Sequence, residues 1–229
     1  MPPVVDDFDR ADAADLGAAW NAVVGAWAID GGRAATPSTY GTHVSLHKTA
    51  VGGDDQYVEA SGVEFASKAE SNVLLLVRHP DDATQTGYGL VVTRGGEVQL
   101  VRLDAGTATS LATETVGGLG AGPMTLRLEV EGDDPVLLRG YWDDVEVITA
   151  SDGSGDRVTS GEYVGLRAFD DAGTTRVWVG SFEAGLLAAG VPSVVPVRRV
   201  RFGGVWHEPS GPVRRVRSGG VWAEPVGVI

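Results

Sequence analysis

The chain has 229 residues, and its 18 Lys and Arg stand against 31 Asp and Glu for a formal net charge of -13. That balance excludes a general nucleic-acid surface, because a phosphate backbone would meet a repulsive field, and the absence of cysteine excludes a disulfide framework and a thiolate metal site. Residues 191–229 depart from this balance, six arginines against two glutamates giving +4 and leaving -17 to the rest.

The start, MPPVVDDFDR, lacks the basic and long apolar regions of a signal peptide, and the most apolar run, VLLLV at 73–77, is too short to span a bilayer. A soluble chain is expected. AWNAVVGAWAIDGGRA reads as two short strands around Gly25 that close in a Gly31-Gly32 turn, with Trp20 and Trp27 in the core. DRADAADLGAAW offers the one helical rival, which Gly17 limits to a short turn. THVSLHK (42–48) and QYVEASGVEF (56–65) alternate incompletely, while NVLLLVRH (72–79) is nearly continuous and suits a strand covered on both faces.

YGLVVTR (88–94) and EVQLVRLD (97–104) flank Gly95-Gly96 and form the clearest hairpin, since paired glycines tolerate the positive φ of a tight turn. MTLRLEVEG (124–132) alternates Met124, Leu126, Leu128 and Val130 against Thr125, Arg127, Glu129 and Glu131, the pattern of a sheet with one wet face. VLLRGYWDDVEVITASDG predicts two strands turning at Asp143-Asp144, and SGEYVGLRAFDDAG with TTRVWVGSFEAG closes the domain. Short strands separated by glycine- and aspartate-rich turns predict an all-β antiparallel β-sandwich of jelly-roll type over 1–185.

GLLAAGVPSVVP then marks a linker, 186–196, ahead of a repeat over 197–229: VRRVRFGGVWHEP and VRRVRSGGVWAEP differ at two of thirteen positions. Each copy predicts a β-hairpin turned at Gly-Gly, too small to bury a core unaided. Aromatic anchors flanked by arginines have the composition of binding hot spots, so Arg199, Arg201, Trp206, Arg215, Arg217 and Trp222 are the candidate partner-docking residues, with folding back onto the parent domain as the alternative.

The opening DDFDRADAADLGAAWNAVVGAWAIDGGRA, the Ser181-Phe182-Glu183-Ala184 element and GEYVGLRAF resemble bacterial and phage concanavalin A-like, laminin-G-like domains over roughly residues 5–184. The Gly-Gly-Val-Trp repeats look like the ends of actinobacterial phage minor tail proteins. These resemblances imply a jelly roll of concanavalin A-like type whose last strand returns beside the first, and a non-enzymatic virion component of a tailed phage. They further imply a tail location, virion or tail subunits as partners in a homo-oligomer, and contact with a host-surface glycan, without nucleic acid or membrane insertion. A free laminin-G-like binding module and a degenerate glycan hydrolase are the alternatives. The resemblance also implies a structural calcium ion between the terminal strands, with Asp6, Asp7 and Asp9 as its candidates, although Ser181 stands where the late aspartate of the pattern falls. No other cofactor is expected.

Catalytic patterns are absent from the sequence. The Glu-x-Asp-x-x-Glu string of sandwich glycanases is missing, GxSxG, GxGxxG and the phosphate loop are missing, and His43, His47, His79 and His207 form no close metal-binding string. Glu129 and Glu131 share one strand face with Arg127 and read as a solvated outer surface. No catalytic residue is assigned. For carbohydrate, Tyr141-Trp142-Asp143-Asp144 is the candidate group, because adjacent strand residues point oppositely and one aromatic is left for the outside.

Overall fold

Period-two apolar runs and glycine-bearing turns become strands throughout the computed structural model, which describes residues 1–37, 40–65, 71–117, 123–170 and 176–188, and the backbone of four short strands beyond. Among the described residues there is no helix. The opening stretch forms β1 (Val4–Asp6), β2 (Trp20–Val24), β3 (Ala28–Ile29) and β4 (Ala34–Ala35). Gly25, at φ +56, turns the chain where a Cβ would come 2.6 Å from the His43 ring. β5 (Gly41–His47), β6 (Gln56–Phe65) and β7 (Asn72–His79) follow, then the expected hairpin of β8 (Gly87–Thr93) and β9 (Glu97–Asp104).

β10 (Thr107–Thr115) is the strand that the apolar pattern does not announce. It lies at a sheet edge with mostly exposed Thr, Ser and Ala, so no buried face marks it. β11 (Met124–Glu131) keeps its alternation; β12 (Val136–Trp142) and β13 (Val145–Asp152) turn at Asp143 and Asp144, both at positive φ. β14 (Tyr163–Asp170), β15 (Val177–Val179) and β16 (Ser181–Leu186) complete the sandwich.

All pairings are antiparallel. One sheet runs β13-β12-β11-β6-β15-β4-β3, with β16 beside β6 and β1 beside β16; the other runs β10-β9-β8-β7-β14-β5-β2. The last strand of the sandwich does return beside the first, Val4 opposite Ala184 and Asp6 opposite Phe182. The protein is thus an antiparallel β-sandwich of jelly-roll type.

Between the sheets lies one core, to which β7 gives Val73, Leu75 and Val77, β11 gives Leu126, Leu128 and Val130, and the opening gives Phe8, Trp20 and Trp27. The intervening residues of β7, Leu74 and Leu76, join Val44, Leu46, Val101 and Leu103 in a second buried cluster on the outer face of the seven-stranded sheet. β7 is covered on both faces, as its continuous apolar run predicts. The covering on the outer side begins with the β7–β8 loop, residues 80–86, whose Asp82 carbonyl accepts the Asn21 Nδ2 of the distant edge strand β2 at 2.7 Å.

The chain divides into two compact units, Met1–Leu187 and Ala188–Ile229. Within the second, β17 (Val200–Phe202) pairs β18 (Val205–His207), and β19 (Val216–Ser218) pairs β20 (Val221–Ala223). The repeated hairpins of the sequence are present.

Candidate functional site

In β11 the core takes the even residues, so Arg127, Glu129 and Glu131 turn away from it. Register then chooses their neighbours. Arg127 stands beside Glu59 of β6 and Tyr141 of β12, Glu129 beside Tyr57 and Arg139, and Glu183 of β16 beside Glu59. The result is a polar row across four strands of the nine-stranded sheet.

The Arg127 guanidinium lies 4.1 Å from the centre of the Tyr57 ring, a stacking that fixes both groups. Its Nε donates to Glu129 Oε1 at 3.0 Å and its Nη1 to Glu59 Oε2 at 3.4 Å. Tyr141 Oη donates to Glu129 Oε2 at 3.0 Å, Arg139 donates to Glu131 Oε2 at 3.1 Å, and Tyr57 Oη donates to Glu183 Oε1 at 2.6 Å. Burial, reinforced by the Glu183 carboxylate, pushes the Tyr57 phenol up to about 12, so it remains a hydrogen donor at neutral pH.

Exposure gives this row its shape. The Glu129 side chain is 2 % exposed, while Arg127 and Glu59 beside it are 28 % and 29 % exposed. A sunken carboxylate is ringed by half-open donors and acceptors that hold one another's rotamers. The solvated surface expected for Glu129 and Glu131 is therefore found only at Glu131; both oxygens of Glu129 accept hydrogen bonds beneath Arg127 and Tyr141.

The four residues expected to touch carbohydrate separate. Tyr141 is buried and joins the outward row through Glu129, whereas Trp142 packs against the core. Asp143 is engaged in the turn: its Oδ1 accepts the Thr125 N–H at 2.8 Å and its own N–H reaches the Thr125 carbonyl. Asp144 is exposed at the tip. Strand alternation divides the group, and Tyr141 alone reaches the polar row.

The candidate calcium residues do not fit a cation. Asp6 Oδ1 accepts Phe8 N–H and Arg10 Nη1, and its Oδ2 accepts Arg10 Nη2 and Trp20 Nε1 at 2.8 Å. Asp7 accepts the Asp9 N–H, and Asp9 is exposed. With Asp6 engaged by a guanidinium, the three carboxylates offer no shared site, and among the described residues no three His, Asp or Glu gather as metal ligands.

A cleft of about 310 Å³ opens at the β2 edge beside Asp15, Leu16 and Lys48, with Trp20, Trp27 and Ser45 behind. Both indoles are structural: Trp27 Nε1 donates to the His43 carbonyl at 3.2 Å, and the two rings are 0 % and 5 % exposed for Trp27 and Trp20. Neither is a stacking platform. Of the docking residues, Arg199 and Arg215 lie outside the described residues; Arg201 is the register partner of Trp206, and Arg217 of Trp222.

No protein-family model matches the chain, and no curated protein matches it. Solved structures do. The chain is similar to the carbohydrate-binding module CBM66 from Bacillus subtilis at 24 % identity, over 70 % of this chain and 93 % of that one, with a TM-score of 0.56. It is similar to the Emp47p carbohydrate recognition domain at 14 % identity, over 81 % and 95 % of the two chains, with a TM-score of 0.59. A third match, from work on endo-acting O-glycanases of human gut microbiota, has 11 % identity over 81 % and 99 %, with a TM-score of 0.57. At these identities the likeness is one of fold.

These matches correct the reading of the chain as a phage minor tail protein, and with it the virion role, the tail location and the virion- or tail-subunit partners. The sandwich finds its likenesses among carbohydrate-recognition domains and a glycanase. The tail reading rested on the Gly-Gly-Val-Trp hairpins, and a short glycine-turned ribbon specifies its own backbone pairing without specifying a partner.

Proposed function

We propose that the sandwich is a non-catalytic carbohydrate-binding module that recognises sugar hydroxyls on the outer face of its nine-stranded sheet. The observation that supports this most directly is the mutually locked row in which Glu59 and Arg127 stand partly open above the buried Glu129 and Tyr141. Carboxylate acceptors alternating with guanidinium donors suit vicinal hydroxyls, each of which donates one hydrogen bond and accepts others. Pre-set rotamers lower the entropy lost on binding. The similarity to CBM66 and to the Emp47p carbohydrate recognition domain supports the ligand class.

The same contacts favour binding over cleavage. Glycoside hydrolysis needs one carboxyl that delivers a proton and a second that attacks or activates water. Glu129, the best-shielded acid of the row, has both oxygens engaged by Arg127 and Tyr141. A glycan array followed by calorimetry on the retained glycans tests the reading, with reducing-end release measured in parallel. Retention that is lost in Arg127→Ala, without release of sugar ends, is expected; failure to retain any glycan, or steady release of ends, overturns it.

A further inference from the structure

The stacking of Arg127 on Tyr57 has a counterpart at the other end of β6. Trp178 of β15 is the register partner of Glu64. Val63, Phe65, Val177 and Val179, their neighbours in sequence, all enter the core, so Trp178 and Glu64 turn to the same outer face as Tyr57 and Glu59. The Arg33 guanidinium lies 5.2 Å from the centre of the Trp178 ring, and its Nη1 donates to Glu64 Oε2 at 3.1 Å. This group is open to solvent: Arg33 and Glu64 are 36 % and 33 % exposed, and the indole is partly exposed. The β3–β4 turn that carries Arg33 is closed by the Asp30 N–H, which donates to the Arg33 carbonyl at 2.9 Å.

The surface between the two groups is continuous. β15 and β16 follow one another along the same side of β6, Trp178 opposite Glu64 and Ser181 opposite Ser61. Next to Trp178 the chain offers only backbone, for Gly62, at φ +66, and Gly180 abut so closely that a Cβ on Gly62 would come 3.2 Å from the Gly180 Cα. Three hydroxyls come next, Ser181 beside Ser61 and Thr125 Oγ1 donating to Ser61 Oγ at 3.2 Å, and then Glu59 and Arg127. All of these residues are partly exposed. Glu59 and Glu64 are five residues apart on β6, which at about 3.3 Å per residue separates the two arginine–aromatic groups by roughly 15 Å, more than one sugar ring covers.

We infer that this strip along β6 binds a linear, neutral glycan of several residues, with Trp178 as a second anchor beyond the Arg127 row. The weakly positive C–H face of one sugar ring lies on the negative face of the indole, which Arg33 steadies from one side. The serine and threonine hydroxyls meet the sugars between, and Arg127 with Glu59 takes the far one. Each arginine of the strip is matched by a glutamate, Arg33 by Glu64 and Arg127 by Glu59 and Glu129, and Glu183 adds a further acid, so a uronate chain would meet net negative charge. The inference rests on the proposed function for its ligand class and on Trp178 for its length.

Titration of the full chain with cellohexaose, mannohexaose and xylohexaose, and with the matching disaccharides, tests it, the Trp178 indole N–H and the Arg127 Nε–H being followed by NMR. With at least one hexaose both signals are expected to shift along one saturable curve, with affinity about tenfold or more above that for its disaccharide. Trp178→Ala is expected to lower the hexaose affinity about tenfold and to leave that for the disaccharide unchanged, and Trp178→Tyr, which keeps an aromatic face, to retain most of it. A response of Arg127 without Trp178 overturns the strip and leaves the proposed sugar site standing. Equal losses at both lengths in Trp178→Ala make the indole structural and also overturn it. Hexagalacturonate bound as tightly as the neutral hexaose overturns the neutral class. No response of Arg127 to any of the six sugars overturns the inference, and the glycan array then judges the sugar site itself.

Discussion

Trp20 Nε1 donates to Asp6 Oδ2 at 2.8 Å, and because β1 belongs to the nine-stranded sheet and β2 to the seven-stranded one, this bond ties the two layers together at the start of the chain. Around it the Trp20 ring meets Phe182 edge-on at 5.0 Å and Phe8 at 5.9 Å. Asp-Phe-Asp-Arg thus has a physical reading: Asp6 receives Arg10 and Trp20, and Phe8 is fully buried beneath them.

Asp6 makes the fold acid-sensitive. Burial alone would raise its pKa, but hydrogen bonds from Arg10, Trp20 and the Phe8 N–H outweigh that and hold it below the ordinary carboxylate value. A carboxylate whose folded pKa is depressed contributes stability that is present above its unfolded value, about 4, and lost as pH falls through the folded one. Melting temperature measured from pH 5 downward should therefore fall more steeply in the native protein than in Asp6→Asn. Equal slopes would remove Asp6 from the acid response.

His79 acts in a neighbouring window. Burial brings its pKa down to about 4, against a weaker opposing bond to the Thr84 carbonyl. The unfolded chain, with an ordinary histidine, takes up the proton first as pH falls. Stability is then complete above about 6.5 and declines toward about 4, by on the order of 3 kcal/mol in all. Chemical denaturation across that range should show the decline in the native protein and a flatter profile in His79→Gln.

Gly140 sets how closely the sheets approach. A Cβ there would lie 2.6 Å from Ile148 Cγ2 and 2.7 Å from Leu90 Cδ1 of the facing sheet. Gly140→Ala is expected to cost about 1–3 kcal/mol by overpacking, read as a lowered denaturant midpoint. A companion Leu90→Val change should recover part of that loss; no recovery would place the strain elsewhere.

Tyr141 couples the polar row to sheet stability. Tyr141→Phe removes one donor from the sunken Glu129 carboxylate and should lower stability by about 1–3 kcal/mol. The glycan affinity of the nine-stranded face should fall with it, since Glu129 then loses one of its fixed positions. An unchanged affinity, measured by calorimetry, would detach Tyr141 from the binding row.

Much of the sandwich could be read from the chain. QYVEASGVEF and NVLLLVRH are β6 and β7 to the residue, and the Asp143-Asp144 turn falls where the sequence puts it. The polar row was half legible: outward Arg127, Glu129 and Glu131 follow from alternation, and Tyr57 stands out as an available aromatic. Glu59, Arg139 and Glu183 carry no local signal, for they matter only through pairing.

By itself, the sequence determined that this protein is a layered antiparallel sandwich followed by two short strand pairs, because alternation and turn chemistry act over a few residues. Tertiary structure alone decided which polar groups meet. Arg127 and Glu59 are 68 residues apart, and a register slip of one residue on β6 would have turned Glu59 toward the core and undone the row.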